Sequence, residues 1–297
     1  MSAEDPAILG AMPALGAILT AIITPFDADG RVDEDAFVAV QQHVCATGSD
    51  GVVVAGTTGE APTLSDEEHL RIVELAVANK PAGSTVIAGT GSNDTRHAVH
   101  LTERATELGV DGILSVTPYY NRPTPRGILA HFGEVAQATD VPIVLYNIPS
   151  RTGTDMPNDL LAELAQLDGV SAVKQANNDN LALVDGLELY AGNDEIVART
   201  LDMGGVGGIC VASHIVGEEM RRMVDEPENR RQIDTNLQDL YSALAVTTNP
   251  IPIKAALNLL GHDVGGLRLP MVEADEHELS VVRTALERHG LLATAQA

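Results

Sequence analysis

The chain has 297 residues, of which three are lysines, Lys80, Lys174 and Lys254, and five are tyrosines. Lys174 closes an apolar run, Val170-Ser171-Ala172-Val173-Lys174-Gln175. Burial disfavours an ammonium relative to the neutral amine, and a neutral amine attacks a ketone to give an imine. Arginine stays charged and cannot do this. Three of the five tyrosines fall in two short segments, Thr117-Pro118-Tyr119-Tyr120-Asn121-Arg122-Pro123 and Tyr146-Asn147-Ile148-Pro149-Ser150-Arg151-Thr152-Gly153. A phenol in such a place can donate or relay a proton. In Gly56-Thr57-Thr58-Gly59-Glu60, two glycines flank two hydroxyls, a pattern that lets backbone N–H groups and Thr side chains face a small anion. Arg151 follows Tyr146 by five positions, and its planar fork suits the carboxylate of a second, acidic substrate. A lysine nucleophile, a tyrosine and an anion-binding turn are the parts of a Schiff-base aldolase. Each motif taken alone also has a plainer reading: a solvated strand end, a rim of capping tyrosines, a tight turn, a rim salt bridge.

Several other residues invite chemistry and are read as structural. Lys80 ends a helix, where it complements the dipole, and Lys254, in Asn249-Pro250-Ile251-Pro252-Ile253-Lys254, makes a structural contact. His97 and His100 lie three apart on a helix with no third ligand at metal spacing, so a solvated helix surface is expected and no metal. Gly204-Gly205-Val206-Gly207-Gly208 leads into a strand, with no basic residue near, and is read as helix termination and close packing.

The elements that must hold these residues follow from periodicity. Short β-branched runs at Gly16-Ile23, Gly51-Ala55, Thr85-Gly89, Gly112-Val116, Pro142-Tyr146, Val170-Lys174, Leu187-Ala191 and Gly207-Ala212 alternate with amphipathic segments. Ser65-Asn79, which opens on a capping box, Asn93-Leu108, Arg126-Ala138 and Pro157-Leu167 read as helices. Near-continuous apolar strands between helices mean a parallel sheet covered on its outside. Eight such units point to an α/β fold, a (β/α)8 TIM barrel, with a doubly wound open sheet as runner-up. The reading is one domain over 1–297, a barrel of about 16–216 and a C-terminal helical extension of about 217–297. The extension has helical periodicity at Glu218-Asp225, Asn229-Ala245, Ile253-Leu260 and Glu276-His289. In such a barrel the chemistry sits at the carboxyl ends of the strands, where the motifs fall.

Composition narrows the partners. There are 42 Asp+Glu against 18 Lys+Arg, a formal net charge of -24, and no cluster of basic residues. Such a field repels nucleic acid and anionic membranes. With 44% hydrophobic residues the chain can still bury a large core. Acid excess with so little lysine points to a cytosol at very high salt, where screening removes self-repulsion. Cys45 and Cys210 lie far apart in apolar stretches and read as thiols of a reducing compartment. The opening MSAEDPAILGAMPALG lacks the basic start of a signal peptide, and no run of about 20 apolar residues exists. A cytoplasmic, soluble protein is expected.

GTTGE, VTPYYNRP, LYNIPSRTG, the strand-end lysine, GGVGGI, NPIPIK and the later LRLP resemble the 4-hydroxy-tetrahydrodipicolinate (dihydrodipicolinate) synthases, class I aldolases of the pyruvate-dependent, N-acetylneuraminate lyase family. The resemblance runs from about Gly16 to Leu292. GTTGE and the lysine are shared with N-acetylneuraminate lyases and 2-keto-3-deoxygluconate aldolases, whereas Arg151 and the Tyr-Tyr-Asn segment distinguish the synthases. The resemblance implies that Lys174 forms the imine with pyruvate. It implies that Tyr146 shuttles protons, relayed through Thr57 to a Tyr120 that reaches in from a neighbouring subunit. Thr58 would hold the pyruvate carboxylate, with the backbone of Ile209 opposite and Gly192 nearby, and Arg151 would take the carboxylate of L-aspartate 4-semialdehyde. Condensation and cyclisation would give (4S)-4-hydroxy-2,3,4,5-tetrahydrodipicolinate. The imine is the electron sink, so no cofactor is required. A homotetramer, built as a dimer of dimers, is implied. Ala191-Gly192-Asn193-Asp194 replaces the common Ser-Gly-Asp-Asp. Asp66 and His97 depart from the histidine and glutamate that meet the inhibitor in lysine-sensitive members, alongside His69, Asn93 and Tyr119, so weak or absent lysine inhibition is expected. The alternatives are a 2-keto-3-deoxy sugar-acid aldolase and a non-catalytic keto-acid-binding barrel.

Overall fold

Each of the eight apolar runs forms a short strand: β1 (Ile18–Ala21), β2 (Gly51–Val54), β3 (Thr85–Gly89), β4 (Gly112–Val116), β5 (Ile143–Asn147), β6 (Val170–Gln175), β7 (Glu188–Ala191) and β8 (Gly207–Cys210). The computed structural model describes residues 15–293; all but the last two residues of the opening segment read above for a targeting signal, 1–16, lie outside the described residues. The strands are parallel, pair in chain order, and close when β8 pairs with β1. The closed order is the expected barrel and excludes an open doubly wound sheet. Period-two alternation sends Leu19, Val53, Ile87, Leu114, Val144, Ala172, Tyr190 and Ile209 into the barrel interior. Their neighbours face outward into a second, larger apolar layer under the helices. Both faces of the sheet are therefore buried, which is why the strands lack polar alternation.

That outer layer is supplied by α1 (Glu34–Ala46), α2 (Asp66–Ala78), α3 (Thr95–Glu107), α4 (Pro125–Gln137), α6 (Asn158–Leu164), α7 (Val197–Asp202) and α8 (Ser213–Asp225), while the single turn α5 (Pro149–Thr152) between β5 and α6 buries only Thr152. The capping box at α2 is present: Ser65 Oγ accepts the Glu68 N–H at 3.2 Å, and the Ser65 N–H donates to Glu68 Oε2 at 3.0 Å. Helix α8 starts at Ser213, earlier than the periodicity at Glu218 suggests, and packs on β1 and α1 as the eighth barrel helix. Val216 interrupts it with non-helical φ −131° and ψ 38°. Beyond it, α9 (Arg230–Leu244), α10 (Ile251–Leu259) and α11 (Glu276–Arg288) form the extension. Their Leu237, Leu240, Leu257 and Leu286 join the same apolar layer as the barrel helices.

The glycine run that leads into and opens β8 is a packing device as read. A Cβ on Gly207 would stand 1.8 Å from the carbonyl oxygen of Ala17 on the β1 side. Lys80 needs a correction. Helix α2 ends at Ala78 with Asn79 as its cap, so Lys80 lies beyond the last turn. Its Nζ instead bridges both carboxylate oxygens of Asp111, at 2.8 and 2.7 Å, and Asp111 also accepts the Val86 N–H at the start of β3. Among the described residues, no helix is long and apolar enough to cross a membrane.

Candidate active site

Lys174 shares the inward parity of Ala172 on β6, and Tyr146 that of Val144 on β5, so both point into the barrel. They are register partners across the two strands. Lys174 is 5% exposed and its Nζ lies 4.2 Å from the centroid of the Tyr146 ring. A cation over a ring face is held by the ring's quadrupole, which fixes the amine beside the phenol. The next residue on each strand faces the other way and anchors the pair. Fully buried Asn147 donates from Nδ2 to Asp155 Oδ1 at 2.8 Å and to Gln175 Oε1 at 3.1 Å, and accepts the Met156 N–H at 3.0 Å.

The Gly56–Glu60 segment leaves β2 as a closed turn. The Glu60 N–H donates to the Thr57 carbonyl at 3.1 Å and the Ala61 N–H to the Gly56 carbonyl at 3.3 Å. Gly59 is held from outside, its carbonyl accepting the Thr24 hydroxyl at 2.7 Å. Among the described residues, no protein acceptor takes the N–H of Thr57 or Thr58. Unpaired donors on a tight turn are the makings of an anion site.

One cavity, of about 290 Å³, joins Lys174, Tyr146, Thr57, Thr58, Arg151 and Gly192. Its outer wall comes from the C-terminal extension, through Tyr241 and Leu244 of α9 and Thr247 to Asn249. Asn249 is the tie: its Nδ2 donates to Thr58 Oγ1 at 2.9 Å, and its carbonyl accepts from Arg151 Nη2 at 3.3 Å. Sequence reasoning did not single out Asn249, although NPIPIK was in view. It also passed over Asp194, which lines the cavity beside Gly192 and accepts the N–H groups of Val211 and Ala212 at 2.9 and 3.0 Å. Burial raises the Asp194 carboxyl above its ordinary value, and those two N–H bonds oppose the rise. Ile209 is 1% exposed within the inner barrel core, and it is Val211, two residues on, that reaches the cavity wall.

Tyr120 does not enter the cavity of its own chain. It is 89% exposed and has a left-handed φ of 72°. Arg151 is exposed on α5 and also borders a second, more apolar cavity of about 440 Å³ shared with Tyr119, His69, Asp66 and His97. There His97 Nε2 meets Asp66 Oδ1 at 2.9 Å and its Nδ1 meets Ser92 Oγ at 3.2 Å. Among the described residues, no three His, Cys, Asp or Glu side chains are grouped to hold a metal.

A closed parallel (β/α)8 barrel with a buried lysine beside a tyrosine at its strand ends defines a lyase of the class I aldolase type. The sequence profile of the Dihydrodipicolinate synthetase family matches residues 14–289. A 4-hydroxy-tetrahydrodipicolinate synthase of Heliobacterium modesticaldum is 42% identical over 293 residues, covering 95% of this chain and 98% of the relative. The solved dihydrodipicolinate synthase of Cyanidioschyzon merolae, with lysine bound, superposes with a TM-score of 0.89 at 39% identity, covering 94% of this chain and 99% of that one. The chloride-inhibited enzyme of Acinetobacter baumannii, complexed with pyruvate, gives 0.90 at 34% identity over 94% and 100% of the two chains. The chain belongs to the dihydrodipicolinate synthetase family.

Proposed function

We propose that the enzyme condenses pyruvate with L-aspartate 4-semialdehyde through an imine on Lys174, giving (4S)-4-hydroxy-2,3,4,5-tetrahydrodipicolinate on the route to diaminopimelate and lysine. The observation that carries this reading is the Lys174 amine 4.2 Å over the Tyr146 ring, in one cavity with the Thr57–Thr58 turn. Lys174 adds to the pyruvate carbonyl and water leaves as the imine forms. Tyr146 moves the protons of that step. Thr58 and the free N–H groups of the turn hold the carboxylate, which fixes the keto carbon toward the amine. The imine withdraws electrons from the methyl group, so loss of a methyl proton gives an enamine. The enamine carbon attacks the aldehyde, and cyclisation through the semialdehyde's own amine releases Lys174. Arg151 receives the second substrate's carboxylate, and Gly192, with Val211 rather than Ile209, closes the far side. No cofactor enters these steps.

Exposed Tyr120 supports the relay Tyr146, Thr57, Tyr120 only when a neighbouring copy supplies that phenol. That relay requires at least a dimer, and the family resemblance extends the reading to a homotetramer of two tight dimers. One domain over 1–297 and a cytoplasm at high salt complete it.

Borohydride reduction in the presence of pyruvate, followed by peptide mass analysis, tests the imine. An adduct on Lys174 is expected; its absence overturns the reading. A coupled assay comparing aspartate semialdehyde with glyceraldehyde as acceptor tests the second substrate, and a preference for glyceraldehyde would make this a sugar-acid aldolase.

A further inference from the structure

Among the motif residues left outside the chemistry, Glu60 of GTTGE and Lys254 of NPIPIK form a buried ion pair. Their side chains are 2% and 1% exposed, and Lys254 Nζ lies 2.6 Å from Glu60 Oε1. The pair is fully bonded. Nζ also donates to the Gly266 carbonyl at 2.7 Å, and Glu60 Oε2 accepts the Arg268 N–H at 3.1 Å. The Phe26 ring is covered by Lys254 Nζ at 4.3 Å and by the Arg268 guanidinium at 4.4 Å.

A buried ion pair adds little stability compared with well-packed apolar residues of similar volume. One of only three lysines in the chain is nevertheless spent here. Glu60 also sits at φ 56°, a left-handed conformation in which a residue with a Cβ is uncommon. Its backbone N–H is one of the bonds that close the turn, donating to Thr57. The side chain thus holds from one side a backbone whose other side presents Thr57 and Thr58 to the cavity. The partner, Lys254, stands on α10, five residues after the Asn249 that bonds Thr58. Two of the holds on the turn, Asn249 on Thr58 and Lys254 on Glu60, therefore come from one segment of the C-terminal extension.

We propose that the Glu60–Lys254 pair is a positioning device, which sets the Thr57–Thr58 turn and thereby the affinity of the site for the pyruvate carboxylate. The inference rests on the assignment of that turn to pyruvate.

The test is the pyruvate dependence of borohydride trapping at Lys174, measured with thermal melting on the full-length protein. Lys254→Met removes the ammonium and keeps the length of the side chain. The double variant Glu60→Gln, Lys254→Met leaves no buried charge, and its fold is expected to recover the melting temperature that Lys254→Met loses. In both, the half-saturating pyruvate concentration should rise by about tenfold, the scale of one hydrogen bond to a charged group. The maximal extent of trapping should stay that of the wild type. A merely structural role would move the melting temperature and leave that concentration unchanged. Wild-type pyruvate dependence in a folded double variant overturns the proposal while leaving the imine intact. Absence of an adduct in the wild type overturns the underlying reading and this inference together.

Discussion

Lys174 and Tyr146 owe their meeting to register and parity: partnered across β5 and β6, both on the inward face. Distinct losses are expected from the groups around them. Lys174→Arg should abolish the borohydride adduct, because a guanidinium is not a nucleophile at neutral pH. Arg151→Ala should spare the adduct and lose turnover with aspartate semialdehyde by 10-fold or more, about the worth of a charge-assisted carboxylate contact; retained turnover would remove Arg151 from the site. A third expectation concerns feedback. Asp66 already accepts His97 at 2.9 Å in the second cavity, so an incoming ammonium has to displace an imidazole to reach it. Millimolar L-lysine should inhibit weakly or not at all, and halving of the initial rate would contradict this. At this scale the sequence was legible where a residue type was rare. Lysine and tyrosine stood out, whereas Asp194 is one of 42 acids and Asn249 is an ordinary amide whose partner Thr58 lies 191 residues away.

The elements were more legible than the contacts between them. Each strand carries its own run of small and β-branched residues, and β3 and β4 begin and end where the sequence pattern does. Helix α7, six residues long, is too short to develop a period, and α5 is one turn. The extension was legible as helices but not as a wall of the cavity. Periodicity reports which face of a helix is apolar and says nothing of which distant loop it will touch. Helix α2 offers a test at this scale. Its Ser65 cap should be worth about 1 kcal/mol, so Ser65→Ala should lower the melting temperature by about 2–4 °C; an unchanged melting temperature would mean the cap is redundant with the Arg268 clamp. That clamp is also sensitive to pH. Arg268 bonds the Glu68 carboxylate from Nη1 and Nη2 and holds the carboxyl down at about 2 against an ordinary 4.5. A depressed carboxyl stabilises the fold above its unfolded value, and the gain is lost as pH falls through the folded value. The melting temperatures of wild type and Glu68→Gln should therefore differ at neutral pH and converge as pH falls from 4.5 toward 2.

Over the whole molecule, the acidic excess and the site pull in opposite directions. A net charge of -24 repels an approaching pyruvate anion, whereas the semialdehyde, with one ammonium and one carboxylate, carries no net charge at neutral pH. Self-repulsion also works against the compact state, because 18 cationic side chains cannot pair 42 acids. Salt acts on both, since the screening length falls from about 10 Å at 0.1 M to about 3 Å at 1 M. The buried groups respond differently. Lys174 and the Glu60–Lys254 pair lie out of solvent and are screened far less than surface carboxylates. Raising KCl from about 0.1 M to about 1 M should therefore raise the melting temperature and lower the KM for pyruvate, with a smaller change in the KM for the semialdehyde. Equal shifts in the two KM values would point to a general effect of salt on the fold, and no shift in either would mean that the acidic surface is not an adaptation to salt. Neither result would touch the imine chemistry, which depends on groups that the surface field reaches only weakly.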